Sequence, residues 1–407
     1  MENYDVVITT YHSLYSYVGM KNEKKERVLT PFEEGLGLNY VVIADECSVF
    51  KSVDTKVSRK MRILSMGARG VYGLTATVIE NTLSEVYGIL SVVKPGIFPS
   101  SAYFERKFCE FIKIPIRTSS GVRWHKKLKG YKNVQEFKRA IAPAYYGRLQ
   151  TDKEVAQQLP EDMTKDIYIE MTVEQSRKVV EVLNGIVELG SGDVVKMDKL
   201  AALMFCQQMV NSPVLKGFSI PSAKEEALME MLSNSLSGEK VVVFSKLRSQ
   251  IDRLEGMCTE SELKCVRITG AEGMDEREHA KNIFNDLDSG VNVLLLNKAG
   301  QRALNLQGGK HLIFYDLPWS AGQYIQLVGR LKRTGSLNKF IGVYRFITKL
   351  HVKYGGGDTI DGRILEVLMK KLVWVKEIQG DVADLVAVDD LVDEVFAKVA
   401  GRKNGAL

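Results

Sequence analysis

Asp45 and Glu46 follow directly on the apolar run Val41-Val42-Ile43-Ala44, and far along the chain Arg330 and Arg333 stand three residues apart in Q-L-V-G-R-L-K-R-T-G, with Gln326 ahead of them. Two adjacent carboxylates at the end of a strand suit metal-assisted phosphoryl transfer, one holding Mg²⁺ and the other orienting or deprotonating a water. Two guanidiniums one helical turn apart share a face and can close on the terminal oxygens of a triphosphate. A third piece, Gly73-Leu74-Thr75-Ala76-Thr77, ends another apolar run, and two threonines around a small residue can bond an acidic pair and relay its state. Each piece also has an ordinary reading: acidic pairs cap strands, and threonines cap helices.

The elements that must position these groups follow from hydrophobic patterning. Continuous apolar runs at Val6–Ile8, Val41–Ala44 and Val71–Leu74 suit buried strands of a parallel sheet. Between Pro95 and Met163 the pattern loosens, with prolines as punctuation, and residues 166–171 then alternate like a strand. Helical periodicity covers Val173 to about Leu189 and Met197 to Val210. Strands are predicted at Val241–Phe244, Lys264–Ile268, Val293–Leu296, His311–Tyr315 and Gly342–Phe346, with helices at 275–287 and 320–331 between them. Strand and helix in alternation imply an α/β fold with doubly wound parallel sheets. The tail after Gly357 reads as helical.

The chain has 407 residues, 45% hydrophobic and 26% charged, ordinary values for a globular protein with two or three cores. It holds no run of about 18 apolar residues and no charged-then-apolar leader, and the expectation is a soluble, intracellular protein. Five scattered cysteines without a C-x-x-C pair argue against a zinc site or a disulfide framework. The formal charge of +6 is mild, but the stretch from Arg106 to Arg148 interleaves Lys and Arg with Phe111, Trp124, Tyr131, Phe137, Tyr145 and Tyr146. Such a stretch can track a phosphate backbone or can simply be a solvated face over core aromatics.

Taken as an ordered set, D-E-C-S, G-L-T-A-T, V-V-V-F-S, N-K-A-G-Q-R-A-L-N-L and Q-L-V-G-R-L-K-R-T-G closely resemble the Swi/Snf family, helicase-like DNA-dependent ATPases of superfamily two. Smaller marks agree: V-I-T-T-Y at 7–11, Asn211-Ser212-Pro213, Tyr315-Asp316 with Trp319, and T-I-D at 359–361. The resemblance implies two RecA-like lobes, the first incomplete, with a helical insertion between them and ATP bound in the cleft. The corresponding ranges are 1–95 for the partial first lobe, 96–222 for a basic then helical insertion, 223–350 for the second lobe and 351–407 for a C-terminal helical extension. By that resemblance Asp45 would bind Mg²⁺, Glu46 would act as base, and Thr75 and Thr77 would couple hydrolysis to lobe movement. Arg330 and Arg333 would be the fingers, with Gln326 and Gly300 near the nucleotide. Lys298 and the loop through Asn305 would lie near ATP and the DNA backbone. The implied partner is double-stranded DNA, gripped by its phosphates, along which family members generally move without separating strands.

Some positions depart from the family. Gln301 and Ala303 replace its usual glycines, T-A-T-V stands for Thr-Gly-Thr-Pro, and Gly362 follows Asp361 in place of an acidic residue. The phosphate cradle, G-x-x-x-x-G-K-[ST] or G-x-G-K-T, does not occur in the 407 residues. The nearest segment, Gly308-Gly309-Lys310-His311, lies after the wrong strand and lacks the hydroxyl. Since the family places that loop tens of residues before V-I-T-T-Y, the expectation is a first lobe with exposed apolar strand faces. The same reading expects little ATP hydrolysis by the chain alone, and a P-loop encoded upstream or on a separate polypeptide. The alternative expectation is a non-catalytic DNA-binding or regulatory module. The expected setting is the cytoplasm of a bacterium or of a virus-infected host cell, rather than a nucleus.

Overall fold

The computed structural model describes residues 5–21, 27–37, 39–76, 78–79, 82–118, 121–148, 150, 152–183, 186–188, 194–196, 199–300 and 304–379. They divide into two compact units, one of the residues up to Gly147 together with those from Lys371 on, and one of Arg148–Lys370, with the first boundary inside the 96–222 segment.

In the first unit, β1 (Val41–Ala44) and β2 (Gly70–Gly73) pair in parallel, with Ala44 opposite Gly73. The crossover between them is α1 (Lys56–Gly67), as a parallel pair requires. Its N-cap Thr55 accepts the amide of Ser58 at 3.2 Å. Val57, Met61 and Leu64 recur at helical spacing and pack inward with Leu14, Val18, Phe50, Ile89 and Val92. The helix α2 (Ser84–Val93) then presses on the turn that follows β1: a Cβ on Gly88 would lie 2.2 Å from the Lys51 carbonyl oxygen. Gly88→Ala should therefore cost this unit about 1–3 kcal/mol through overpacking. A thermal melt of the variant equal to that of the parent would refute the contact.

The outer face of this two-stranded sheet is open, with Val41 52%, Ile43 69% and Tyr72 61% exposed. Val6–Ile8, expected to be a strand, forms no ladder among the described residues, and Ile8 is 93% exposed. A strand exists by virtue of its neighbour's hydrogen bonds, and among the described residues β1 and β2 pair only with each other.

The loosened region beyond Pro95 holds a second, aromatic core. It is built from α3 (Ser101–Phe108), the antiparallel hairpin β3 (Cys109–Thr118) and β4 (Gly121–Tyr131), and α4 (Val134–Ile141). Phe98, Phe104, Phe108 and Phe137 meet ring to ring at 5.2–6.2 Å. The hairpin roots there through buried Cys109, Leu128 and Tyr131, whose hydroxyl takes the Leu83 amide at 3.0 Å.

The second unit is a six-stranded sheet in which every pairing is parallel. In chain order its elements are β5 (Glu161–Glu170), α5 (Val173–Leu183), α6 (Lys199–Asn211), α7 (Ala223–Glu230), β6 (Val241–Phe244), α8 (Arg248–Glu260) and β7 (Cys265–Ile268). Next come α9 (Met274–Asn285), β8 (Val293–Leu296), β9 (His311–Phe314), α10 (Ala321–Leu331), β10 (Phe340–Lys349) and, as far as Lys370, α11 (Ile360–Gln379). The sheet order is β7-β8-β6-β9-β10-β5. The central strands are buried on both faces, which is why they read as unbroken apolar runs. Val241, Val243, Leu295 and Ile313 share a core with Leu228, Ile251 and Leu254 of α7 and α8. On α10, Tyr324 stacks on Phe314 at 4.7 Å. Because β6 sits between β8 and β9, the crossovers diverge at its carboxyl end, the place where sheets of this type bind ligands. No described helix is long and apolar enough to cross a membrane.

Candidate active site

In the first unit, β1 ends at Ala44 and the chain turns at once through Asp45 and Glu46 into a short 3-10 helix, Cys47–Phe50. Glu46 takes φ +50°, a left-handed conformation that costs a non-glycine residue about 1–2 kcal/mol. The surroundings impose it. The Cys47 amide donates to the Leu74 carbonyl and the Leu74 amide to the Ala44 carbonyl, both at 2.8 Å. The Glu46 amide donates to Asp45 Oδ1 at 3.0 Å. Tyr11, from V-I-T-T-Y, donates its hydroxyl to the Asp45 carbonyl and sets its ring edge-on to Phe50 at 5.3 Å. Burial, followed by the charges of Cys47, Asp45 and Glu46, holds the Tyr11 phenol well above its ordinary pKa, so it stays a donor. Burial likewise pushes the Cys47 thiol up to about 12, which makes it a packing group rather than a nucleophile.

Both carboxylates are left exposed at the carboxyl end of the parallel pair, and Thr75 follows one residue after Leu74 at the same edge. Asp45, Glu46 and Thr75 are therefore brought together; Thr77 lies outside the described residues. No cluster of three or more metal-ligating side chains occurs among the described residues. Mg²⁺ needs none here, since it is commonly held by one or two carboxylates together with substrate phosphates, and an exposed aspartate beside a second carboxylate fits that demand.

In the second unit, α10 begins at Ser320, whose hydroxyl accepts the Gln323 amide at 3.3 Å, and it carries Gln326 and Arg330 four residues apart on one half-buried face. The expectation that Arg333 continues that face is corrected. The helix stops at Leu331; Lys332 leaves helical geometry and pairs with Asp162, and Gly335 turns the chain at φ +83°. Arg333 thus lies beyond the helix, half-buried, with its amide on the Leu331 carbonyl at 3.0 Å.

Arg330 is tied to the loop that follows β8. Its Nη1 donates to the Leu304 carbonyl at 3.3 Å, and its own carbonyl accepts the Leu306 amide at 3.3 Å. Asn305, between those two, receives Asn285 Nδ2 on its carbonyl at 2.8 Å, while its own buried Oδ1 has no hydrogen-bond partner among the described residues. Upstream in the same loop Lys298 is exposed. Asn297 Oδ1 accepts the amides of Ala299 and Gly300 at 3.0 and 3.1 Å, folding the loop back on β7. Gly300 is buried there, and a Cβ on it would fall 2.0 Å from the Ile268 carbonyl oxygen. Gly300→Ala must displace either the loop or β7, at about 1–3 kcal/mol or more. Its melting temperature should fall, and an unshifted melt would contradict the packing. Gln301 and Ala303 lie outside the described residues.

The sequence reading did not single out Lys224 or Lys246, and both belong to a buried polar network at the carboxyl ends of β6 and β9. Asp316 accepts Ser245 Oγ at 2.6 Å, the Lys246 amide at 2.9 Å and Asn211 Nδ2 at 3.0 Å. Asn211 Oδ1 in turn accepts Lys224 Nζ at 3.0 Å, and that ammonium donates to Asp361 Oδ2 at 2.7 Å with neither side chain exposed. Thr348 Oγ1 completes the Asp361 shell at 2.8 Å. Lys246 Nζ lies 3.9 Å from Asp316 Oδ1 and 5.7 Å from the Trp319 ring; burial lowers its pKa. The scattered marks Asn211, Asp316, Trp319 and Asp361 are thus one assembly, which only a reading of tertiary contacts could reveal.

Two family domains match the chain in succession. The SNF2-related domain matches residues 1–215 and the helicase conserved C-terminal domain matches residues 223–335. The mouse "SWI/SNF-related matrix-associated actin-dependent regulator of chromatin subfamily A member 1" is 26% identical over 384 residues, covering 89% of this chain and 32% of the relative. The DNA repair and recombination protein RDH54 of Saccharomyces cerevisiae is 25% identical, covering 97% of this chain and 42% of the relative. The chain thus spans less than half of the length of these relatives, 32% of one and 42% of the other. Among solved structures, the Sulfolobus solfataricus SWI2/SNF2 ATPase core in complex with dsDNA aligns with a TM-score of 0.42 at 21% identity, covering 83% of this chain and 68% of that one. With one family domain matched over more than half its length, the chain belongs to the SNF2-related family of helicase-like, DNA-dependent ATPases.

Proposed function

We propose that the chain is the larger part of a motor that couples ATP hydrolysis to movement along duplex DNA. The observation that carries this reading is the pair of exposed carboxylates, Asp45 and Glu46, held at a strand end by a strained left-handed turn. Glu46 is the base that orients and deprotonates the attacking water. When bound, Mg²⁺ on Asp45 supplies neutralisation of the phosphate charge. Thr75 senses the state of the acidic pair from the adjoining strand end. Arg330, with Arg333 and Gln326, offers its guanidinium to the charge that develops on the transferred phosphoryl group. Lys298 and Asn305 face the nucleotide and the DNA backbone from the loop that Arg330 anchors. The β/γ-phosphate cradle is supplied by a further segment, upstream or on a separate polypeptide, that adds a parallel strand to the sheet whose apolar face stands open at Val41, Ile43 and Tyr72.

Joined to a family segment bearing G-x-G-K-T, the chain should hydrolyse ATP in response to duplex DNA. Glu46→Gln in that form should lower kcat about 10²–10⁴-fold with nucleotide binding retained. DNA binding that persists while neither form hydrolyses ATP would favour the non-catalytic module instead.

A further inference from the structure

We propose that the β3–β4 hairpin is a nucleic-acid contact that takes exposed base faces, as in single-stranded or unpaired DNA, with Trp124 as the stacking platform. The proposal goes beyond duplex gripping by the motor and needs no nucleotide.

Charge makes the first argument. The segment Cys109–Lys132 holds seven Lys and Arg against one Glu, a net +6, as large as the formal charge of the whole chain. The rest of the protein is therefore neutral in sum, and its excess positive charge is concentrated on one hairpin. Such a concentration fits a polyanion.

Register makes the second. Phe111 pairs with Leu128, Lys113 with Lys126, and Pro115 with Trp124, so these residues lie on one face in that order from root to tip. At the root the face is fixed: Leu128 is in the aromatic core, and Lys126 Nζ sits 3.7 Å above the Phe111 ring and 2.9 Å from Glu105. Two residues further out, the described side chains on this face are exposed. Trp124 is 67% exposed and Val122 56%. A tryptophan gains much by burial, so one left in water on a rooted strand, one ladder step beyond Lys126, is placed for a ligand with a flat apolar face. The bulge between Glu110 and Phe111 sets Lys129 out of the ladder, and Lys113 and Lys129 are both exposed on the root side of Trp124, available to the phosphates of a strand that runs from a base stacked there toward the root. Basic side chains along a track with an aromatic platform make up the chemistry that holds single strands without regard to sequence.

The test is fluorescence anisotropy of the full chain, without nucleotide, against labelled oligothymidylate and a blunt duplex of equal length. Trp124→Ala should weaken binding to the single strand about 5- to 100-fold, with little effect on the duplex. Trp124→Phe, which keeps a ring, should retain most of the affinity. Lys113→Glu with Lys129→Glu should weaken both probes and flatten the salt dependence. Unchanged single-strand binding in Trp124→Ala overturns the proposal. So does an equal loss on both probes, which would reduce the hairpin to a backbone contact, and so does an equal loss in Trp124→Phe, which would deny stacking. Failure here leaves DNA-stimulated hydrolysis untouched, so it is distinguishable from failure of the proposed function.

Discussion

Replacing Lys224 with Met is expected to destabilise the second unit by about 3–5 kcal/mol, because it strands a buried carboxylate. Asp361 has no exposed side-chain surface, and its ammonium partner at 2.7 Å is equally buried. Without that charge, Asp361 retains the Thr348 hydroxyl at 2.8 Å and the Thr348 amide at 3.3 Å, two neutral donors for a full negative charge in a low-dielectric interior. Asn211 loses its partner as well, and through it the Asp316 node that fixes the ends of β6 and β9 loosens. For a unit of this size the loss corresponds to a melting temperature lower by about 6–20 °C. The double variant Lys224→Met, Asp361→Leu should recover most of it, because replacing both members of a buried pair by apolar groups removes the uncompensated charge. A single variant that melts with the parent would refute the description of this pair as the unit's electrostatic keystone.

The second large effect is expected at Arg330. In a form of the protein that hydrolyses ATP, Arg330→Ala should lower kcat about 10³–10⁵-fold, the range over which an arginine finger acts. Part of the loss should be structural, since Nη1 also holds the Leu304 carbonyl at 3.3 Å. Arg330→Lys separates the two contributions: it keeps a charge but loses the planar fork, so activity should remain low while the loop can still be anchored. Steady-state kinetics with a melt of each variant measures both. Activity within tenfold of the parent in Arg330→Ala would remove this residue from the chemistry.

The six-stranded sheet of the second unit is legible in the sequence because its central strands are buried on both faces. Val241–Phe244 and Val293–Leu296 are unbroken apolar runs between turn signals, and the ladder confines them to those limits. The edge strand Glu161–Glu170 was legible only from Asp166 onward, since its first half, E-D-M-T-K, is exposed and carries no alternation. The helix from Val173 was read too far. It ends at Leu183, just before Asn184-Gly185, and the strand Ile186–Glu188 follows. The β3–β4 hairpin escaped notice because charge on both of its strands masks the period of two and Pro115 breaks the pattern. At the site, Asp45, Glu46 and Thr75 could be grouped from the strand ends that carry them. The Lys224–Asp361 and Asn211–Asp316 contacts join residues 137 and 105 positions apart, a separation at which local patterning says nothing. The departure of Arg333 from its helix face depends on Lys332 meeting Asp162, 170 residues earlier, and was likewise invisible.

The proposal is that Asp45, Glu46 and Arg330 act in catalysis once a phosphate cradle is supplied by another segment. Its most direct test is duplex-DNA-stimulated ATP hydrolysis by the purified 407-residue chain beside the same chain joined to a family segment bearing the G-x-G-K-T loop. Expected is hydrolysis at background in the first, and DNA-stimulated hydrolysis in the second that Glu46→Gln lowers about 10²–10⁴-fold. Robust DNA-stimulated hydrolysis by the 407-residue chain alone, or a joined form indifferent to Glu46→Gln, would contradict it.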